Sequence, residues 1–177
     1  ALGHPEIKFL YKFEENLTHV YKKENFNNEG FKQRILEVFQ DDFFSNSLLV
    51  ENKIQSDLGD IKLRGFISIP SYNKVNQSYQ FLFVNGRPVQ DRGLSAIIKL
   101  SYRDNLPRGR HPLYCLMLDL SNDQIDVNVH PTKLEVKFQN YEFLKSFVIN
   151  SITKALQIKK NNKTVSYTHL TLPTRLM

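Results

Sequence analysis

The chain lacks tryptophan altogether and carries a single cysteine, two methionines, seven glycines and seven prolines among its 177 residues. One cysteine excludes an internal disulfide, and no Cys or His pair stands at the spacing of a zinc site. Cys115 lies inside the apolar run from Leu113 to Leu120 and reads as a small buried hydrophobe. The sparse Gly and Pro exclude collagen-like and Pro/Gly-rich low-complexity sequence. No apolar run reaches the length of a membrane-spanning helix, and no basic-then-apolar leader opens the chain. The expectation is a cytoplasmic protein with no membrane partner. Nothing matches a phosphate loop or a nucleophile elbow, so no catalytic residue and no metal ligand is assigned.

What is present is an ordinary core with a basic surface. Hydrophobic residues make up 41% of the chain, enough for one globular domain. The net charge of +6 suits an anionic partner. The excess is local. Between positions 87 and 110, Arg87, Arg92, Lys99, Arg103, Arg108 and Arg110 face only Asp91 and Asp104.

Ala1 to Glu6, with Gly3 and Pro5, reads as a loop cut from within a longer protein. Alternation predicts a hairpin of Ile7 to Phe13 with Leu17 to Tyr21, and Phe31, Ile35, Val38 and Phe39 predict a helix over 29–40. Leu48 to Ile54 and Ile61 to Ile69 read as strands joined by a turn at 56–60. In that turn, Asp57 and Asp60 have no histidine or nucleophile to make them a catalytic pair. Gln80 to Val84 is a further strand, ended by the Asn85-Gly86 turn signal. Asp91 can cap a helix with Leu94, Ile97, Ile98 and Tyr102 on its apolar side and Arg92, Lys99 and Arg103 on its polar side. Gly93 costs that helix about 1 kcal/mol relative to Ala, which predicts a frayed first turn. Asn105 to Pro112 reads as a basic loop, Leu113 to Leu120 as a buried strand, and Asn140 as the cap of a last helix ended by a polar linker from Lys159. Strands and helices alternating unevenly, with hairpins and a crossover, argue for an α+β fold.

The stretch from Asp126 to Phe138 is the most distinctive. Val127 and Val129 alternate into His130-Pro131, where the proline removes a backbone donor and pushes His130 towards extended geometry. Alternation resumes at Leu134, Val136 and Phe138, leaving Lys133 on a loop between two anchored strands. This run, Asp-Val-Asn-Val-His-Pro-Thr-Lys-Leu-Glu-Val-Lys-Phe, resembles the signature of the MutL family of DNA mismatch repair proteins. Phe81 to Arg92, containing Val84-Asn85-Gly86-Arg87-Pro88-Val89, resembles a second block of the same family, and the likeness extends over residues 1–157.

The resemblance implies a two-layer sandwich of a mixed sheet and helices, like domain 2 of a small-subunit ribosomal protein and the transducer domains of MutL and gyrase B. It implies that Lys133 reaches the γ-phosphate of ATP, held with Mg2+ mainly by a preceding ATPase domain. A lysine suits that task as a movable point charge on a long stem. The resemblance also implies that Arg92, with Arg87, Arg108 and Arg110 around it, contacts DNA phosphates. Asn128, His130 and Pro131 read as positioning the lysine loop rather than as acids or bases. Thr132 stands where the family more often has Ala, and Gly93 where it more often has a larger apolar residue. For the full-length protein the resemblance implies DNA, a MutS-type mismatch recognition protein and a mismatch repair nuclease as partners, and homodimerisation. The catalytic Glu and glycine-rich lid of the ATPase are not found here, so this chain reads as a part of a MutL-type ATPase that lacks the catalytic core. The organisation expected is a transducer and DNA-binding domain over 1–158, then a linker and a foreign or out-of-frame tail over 159–177. A stand-alone nucleic-acid-binding module and a structural transducer domain of a topoisomerase-like ATPase are the rival readings.

Overall fold

The computed structural model describes residues 1–13, 16–25, 27–39, 42–55, 57, 59–126 and 137–165. In chain order the elements are β1 (Phe9–Phe13), β2 (Asn16–Tyr21), α1 (Asn28–Val38), α2 (Asp42–Ser45), β3 (Ser47–Ile54), β4 (Ile61–Ser68), β5 (Asn73–Lys74), β6 (Gln80–Val84), β7 (Arg87–Val89), α3 (Arg92–Ser101), β8 (His111–Pro112), β9 (Tyr114–Leu120), β10 (Ile125–Asp126), β11 (Lys137–Phe138) and α4 (Tyr141–Val165).

A five-stranded mixed sheet in the order β3-β4-β9-β6-β7 organises the molecule. Its neighbours are antiparallel except β6 and β9, which run parallel with Leu82 opposite Leu116. That pairing requires the chain to leave β6, pass through β7 and α3, and return, which is the crossover the sequence predicts. Alternation along each strand divides the core between two faces. Val50, Leu63, Leu82, Val84, Leu116 and Leu118 pack with Ile97 and Ile98 of α3 and Phe147 and Ile152 of α4. Phe83, Cys115 and Met117 point the other way and meet Phe31, Ile35, Phe39 and Phe43 of the α1–α2 segment. The fold is therefore the expected α+β sandwich of mixed sheet and helices, with a smaller aromatic cluster on the sheet's second face. Among its rings, Phe39 and Phe43 lie 4.3 Å apart.

The N-terminal loop and the β1–β2 hairpin are gathered by one side chain. Arg34, fully buried on α1, donates through its two terminal nitrogens to the carbonyls of Ala1 at 2.9 Å, His4 at 3.4 Å, Pro5 at 3.0 Å and Ile7 at 3.0 Å, and to that of Lys22. Its Nε lies 3.2 Å from Glu37, and Phe9 and Tyr21 flank the guanidinium plane. A buried cation is tolerated only with such partners.

Three features differ from the sequence expectations. The Asn105–Pro112 region is not all loop, because β8 pairs with β5, Lys74 facing His111; two-residue strands carry no readable alternation. α3 ends at Ser101, so Arg103 lies beyond the helix in a 3-10 turn with φ 48°. Tyr102 stops the helix by donating its hydroxyl to Ser68 O at 2.7 Å while fully buried. Finally, α4 runs through Val165 where a linker was expected from Lys159; no Gly or Pro interrupts that stretch. Among the described residues no helix is long and apolar enough to cross a membrane.

Candidate nucleic-acid interface

The site is built outward from a two-residue turn. Asn85 and Gly86 both have positive φ, 48° and 77°, the geometry whose twist suits a tight hairpin. Asn85 also fastens the turn to the sheet: its Nδ2 donates to Leu120 O at 2.9 Å and its Oδ1 accepts the Leu120 N–H at 2.8 Å. The chain then re-enters the sheet as β7, with Arg87 exposed and Val89 buried.

Asp91 starts α3 as its N-cap, Oδ1 accepting the Leu94 N–H at 2.8 Å. The carboxylate is thereby committed to the helix end and is not an ion-pair partner of Arg92. The first turn is capped rather than left open, and the Tyr141 hydroxyl packs over Gly93, at 2.5 Å from where a Cβ would stand. Leu94, Ile97, Ile98 and Ser101 are buried. Helical periodicity puts Arg92, Ser95, Ala96 and Lys99 on the opposite stripe.

That stripe walls a groove of about 640 Å³. Leu82, Val89 and Tyr114 contribute its apolar part, and Gln77 and His111 come from the β5–β8 side. Gln77 Nε2 lies 3.3 Å from His111 Nδ1, and Gln80 is held by donating to Pro112 O at 2.9 Å. Desolvation first, and Lys99 second, hold the His111 pKa below its ordinary value. Burial pushes the Tyr114 phenol up, keeping it neutral. The groove thus offers two permanent cations on one helix face, about 10 Å apart along its axis, a titratable imidazole and several amide donors. Such a set can hold an extended polyanion.

Of the arginines singled out in the sequence, Arg92 lines this groove. Arg87, Arg108 and Arg110 are exposed but stand outside its lining. Among the described residues none of the four lies within 4.0 Å of a carboxylate. Arg103 belongs to a different cleft, between α3 and α4. Lys99 and His111 join the groove without having been picked as site residues. Lys99 could have been found by its seven-residue spacing from Arg92, whereas His111 arrives through a long-range pairing that no local pattern announces. Lys133, Asn128, His130 and Pro131 lie outside the described residues. Their frame is described: β10 and β11 pair antiparallel, Asp126 opposite Lys137, and the Gln139 N–H donates to Gln124 O at 2.9 Å.

A family profile described as "DNA mismatch repair protein, C-terminal domain" matches residues 35–157. DNA mismatch repair protein MutL of Rickettsia felis is 37% identical over 162 residues, covering 91% of this chain and 26% of that protein. MutL of Rickettsia canadensis is 38% identical with the same coverage. The chain therefore spans about a quarter of the length of the curated relatives it matches. A solved structure, "Crystal Structure of N terminal domain of a DNA repair protein", shares the fold with a TM-score of 0.68 at 21% identity, covering 91% of this chain and 51% of that one.

Proposed function

The chain belongs to the MutL family of DNA mismatch repair proteins, and from that premise we propose that its α3 groove holds the phosphate backbone of DNA. Arg92 and Lys99 are the principal contacts, His111 a conditional third, and Arg87, Arg108 and Arg110 outlying charges that draw the polyanion in. The observation that carries this reading is the cationic stripe Arg92–Lys99 beside a groove, with the nearby acid Asp91 tied up as a helix cap. Contacts of this kind give affinity and salt dependence without sequence readout.

Lys133 serves a second ligand, the nucleotide. β10 and β11 pair at the two ends of the segment that carries this residue, and a lysine can offer one compact ammonium to a terminal phosphate. In the full-length protein that phosphate is the γ-phosphate of ATP, bound with Mg2+ by an ATPase domain; the nucleotide supplies the anhydride to be hydrolysed. Asn128, His130 and Pro131 position the loop. A lysine contact that exists with ATP and not with ADP couples nucleotide state to domain orientation. Full-length protein then acts in the cytoplasm as a homodimer, with a MutS-type recognition protein and a nuclease. Titration of labelled DNA at several salt concentrations, comparing the wild-type chain with Arg92→Glu, tests the groove; an unaltered salt slope removes Arg92 from the interface and leaves a structural transducer role.

A further inference from the structure

A second cleft, of about 510 Å³, opens between the end of α3 and the middle of α4, on the far side of α3 from the groove. Leu48, Ile69, Pro70 and Leu156 give it an apolar floor, and among the described residues Arg103 is the only charged one in its lining. Three observations at its wall call for an occupant. Arg103 sits at φ 48°, a conformation that a non-glycine residue adopts at a cost. Its exposed guanidinium has no carboxylate within 4.0 Å among the described residues. Thr153 Oγ1 is buried at the cleft without a hydrogen-bond partner among the described residues.

The cleft also abuts an open sheet edge. Leu48 belongs to β3, which ends the sheet order and, among the described residues, pairs with β4 alone. Long edge strands are usually guarded by charge. The second half of β3 carries exposed Glu51 and Lys53, the latter 4.0 Å from Asp60. The first half, Ser47 to Val50, carries no charge and leaves Leu49 52% exposed.

We infer that this corner of the domain binds an extended acidic–apolar peptide segment of a partner protein. The peptide backbone adds to the Ser47–Val50 edge, one apolar side chain enters the cleft beside Leu48 and Leu156, and a carboxylate pairs with Arg103. An arginine in a lining with no acid among the described residues selects an anion by charge complementarity. The free edge supplies the main-chain hydrogen bonds that distinguish a peptide from a simple amphipathic anion. The inference is independent of the DNA groove, because it uses no residue of that site.

The test is an amide-resolved NMR titration of the 177-residue chain with a panel of capped hexapeptides of the form Ac-Ser-Φ-Asp-Φ-Φ-Ser-NH2, where Φ is Leu, Ile, Val or Phe. Each is paired with its Asp→Asn version and with a version N-methylated at the central Φ. Decanoate serves as a non-peptide anion. Saturable shifts at Leu48, Ile69, Arg103 and Thr153 are expected, with affinity falling about fivefold to tenfold for the Asn peptide and for Arg103→Gln, and with the N-methylated peptide failing to bind. The Arg103→Gln spectrum itself reports whether that variant is folded. Decanoate binding as well as the peptides, an N-methylated peptide binding undiminished, shifts centred on Arg92 and Lys99, or no saturable shift from any peptide up to about 1 mM would each overturn the inference.

Discussion

The Tyr141 hydroxyl lies over Gly93, so the first turn of α4 touches the first turn of α3 where no side chain intervenes. Burial, reinforced by Asp91 and Glu142, raises the Tyr141 pKa and keeps the phenol neutral beside the Asp91 cap. This contact joins the helix that carries Arg92 to the helix that follows β11. It also explains a glycine that helix propensity disfavours.

Gly93→Ala sets a propensity gain of about 1 kcal/mol against displacement of the Tyr141 ring, which is 37% exposed and able to swing outward. The two offset, so the single variant is expected to melt within about 2 °C of wild type. Gly93→Ala with Tyr141→Phe removes the obstructing oxygen and should keep the gain, raising Tm by about 2–4 °C. A double variant less stable than Gly93→Ala alone would refute the account.

Arg92→Glu and Lys99→Glu should each lower the slope of log K against log salt for DNA binding by about 1 or more. Lys145→Glu on α4, where Lys145 is already 3.6 Å from Glu142, serves as the control and should leave the slope unchanged. Equal losses in all three variants would mean a diffuse charge effect rather than a groove.

His111 makes the same binding pH-dependent. Its folded pKa is depressed, by desolvation and by Lys99, so the native domain resists its protonation and loses stability as pH falls through the ordinary histidine range. Phosphate in the groove offsets Lys99 and favours the imidazolium, so DNA binding takes up a proton. Affinity should rise from pH 7.5 to pH 5.5 by about threefold to tenfold more than in His111→Gln. Matching pH profiles for the two proteins would exclude His111 from contact.

Arg34→Ala leaves five backbone carbonyls without their donor and should destabilise the fold by about 3–5 kcal/mol. Arg34→Lys keeps the charge but loses the planar fork, and should recover only part of that. Hydrogen exchange in residues 1–22 would show the loss locally; protection unchanged there would mean that other contacts hold the N-terminal segment.

In full-length protein, Lys133→Ala should slow ATP turnover by about tenfold to a hundredfold, the worth of one charge-assisted hydrogen bond, with circular dichroism unaltered. Undiminished turnover would make Lys133 a loop residue without a part in the nucleotide site.

By itself the sequence determined what depends on neighbours along the chain. Alternation in Ile61–Ser68 marked a strand because successive side chains face opposite sides of a sheet, and the near-continuous apolar run of Tyr114–Leu120 marked one buried on both faces. Asp91 and Asn140 marked helix starts because a cap acts within three residues, as Asp91 to Leu94 and Asn140 to Phe143 do. The Asn-Gly and Val-His-Pro-x-Lys runs were long enough to reveal the family. Tertiary structure alone decided which strands meet and which charges are left over. The parallel pairing of β6 with β9 and the β5–β8 ribbon that brings His111 beside Lys99 join residues far apart in sequence, where no local periodicity reports the partner. Burial inverted one expectation of charge as a surface property: Arg34 sits inside because five carbonyls and Glu37 replace its water. Whether Arg103 shares a face with Arg92 was decided by the Tyr102–Ser68 hydrogen bond that ends α3, since a helix stops where competing tertiary contacts outweigh the propensity to continue.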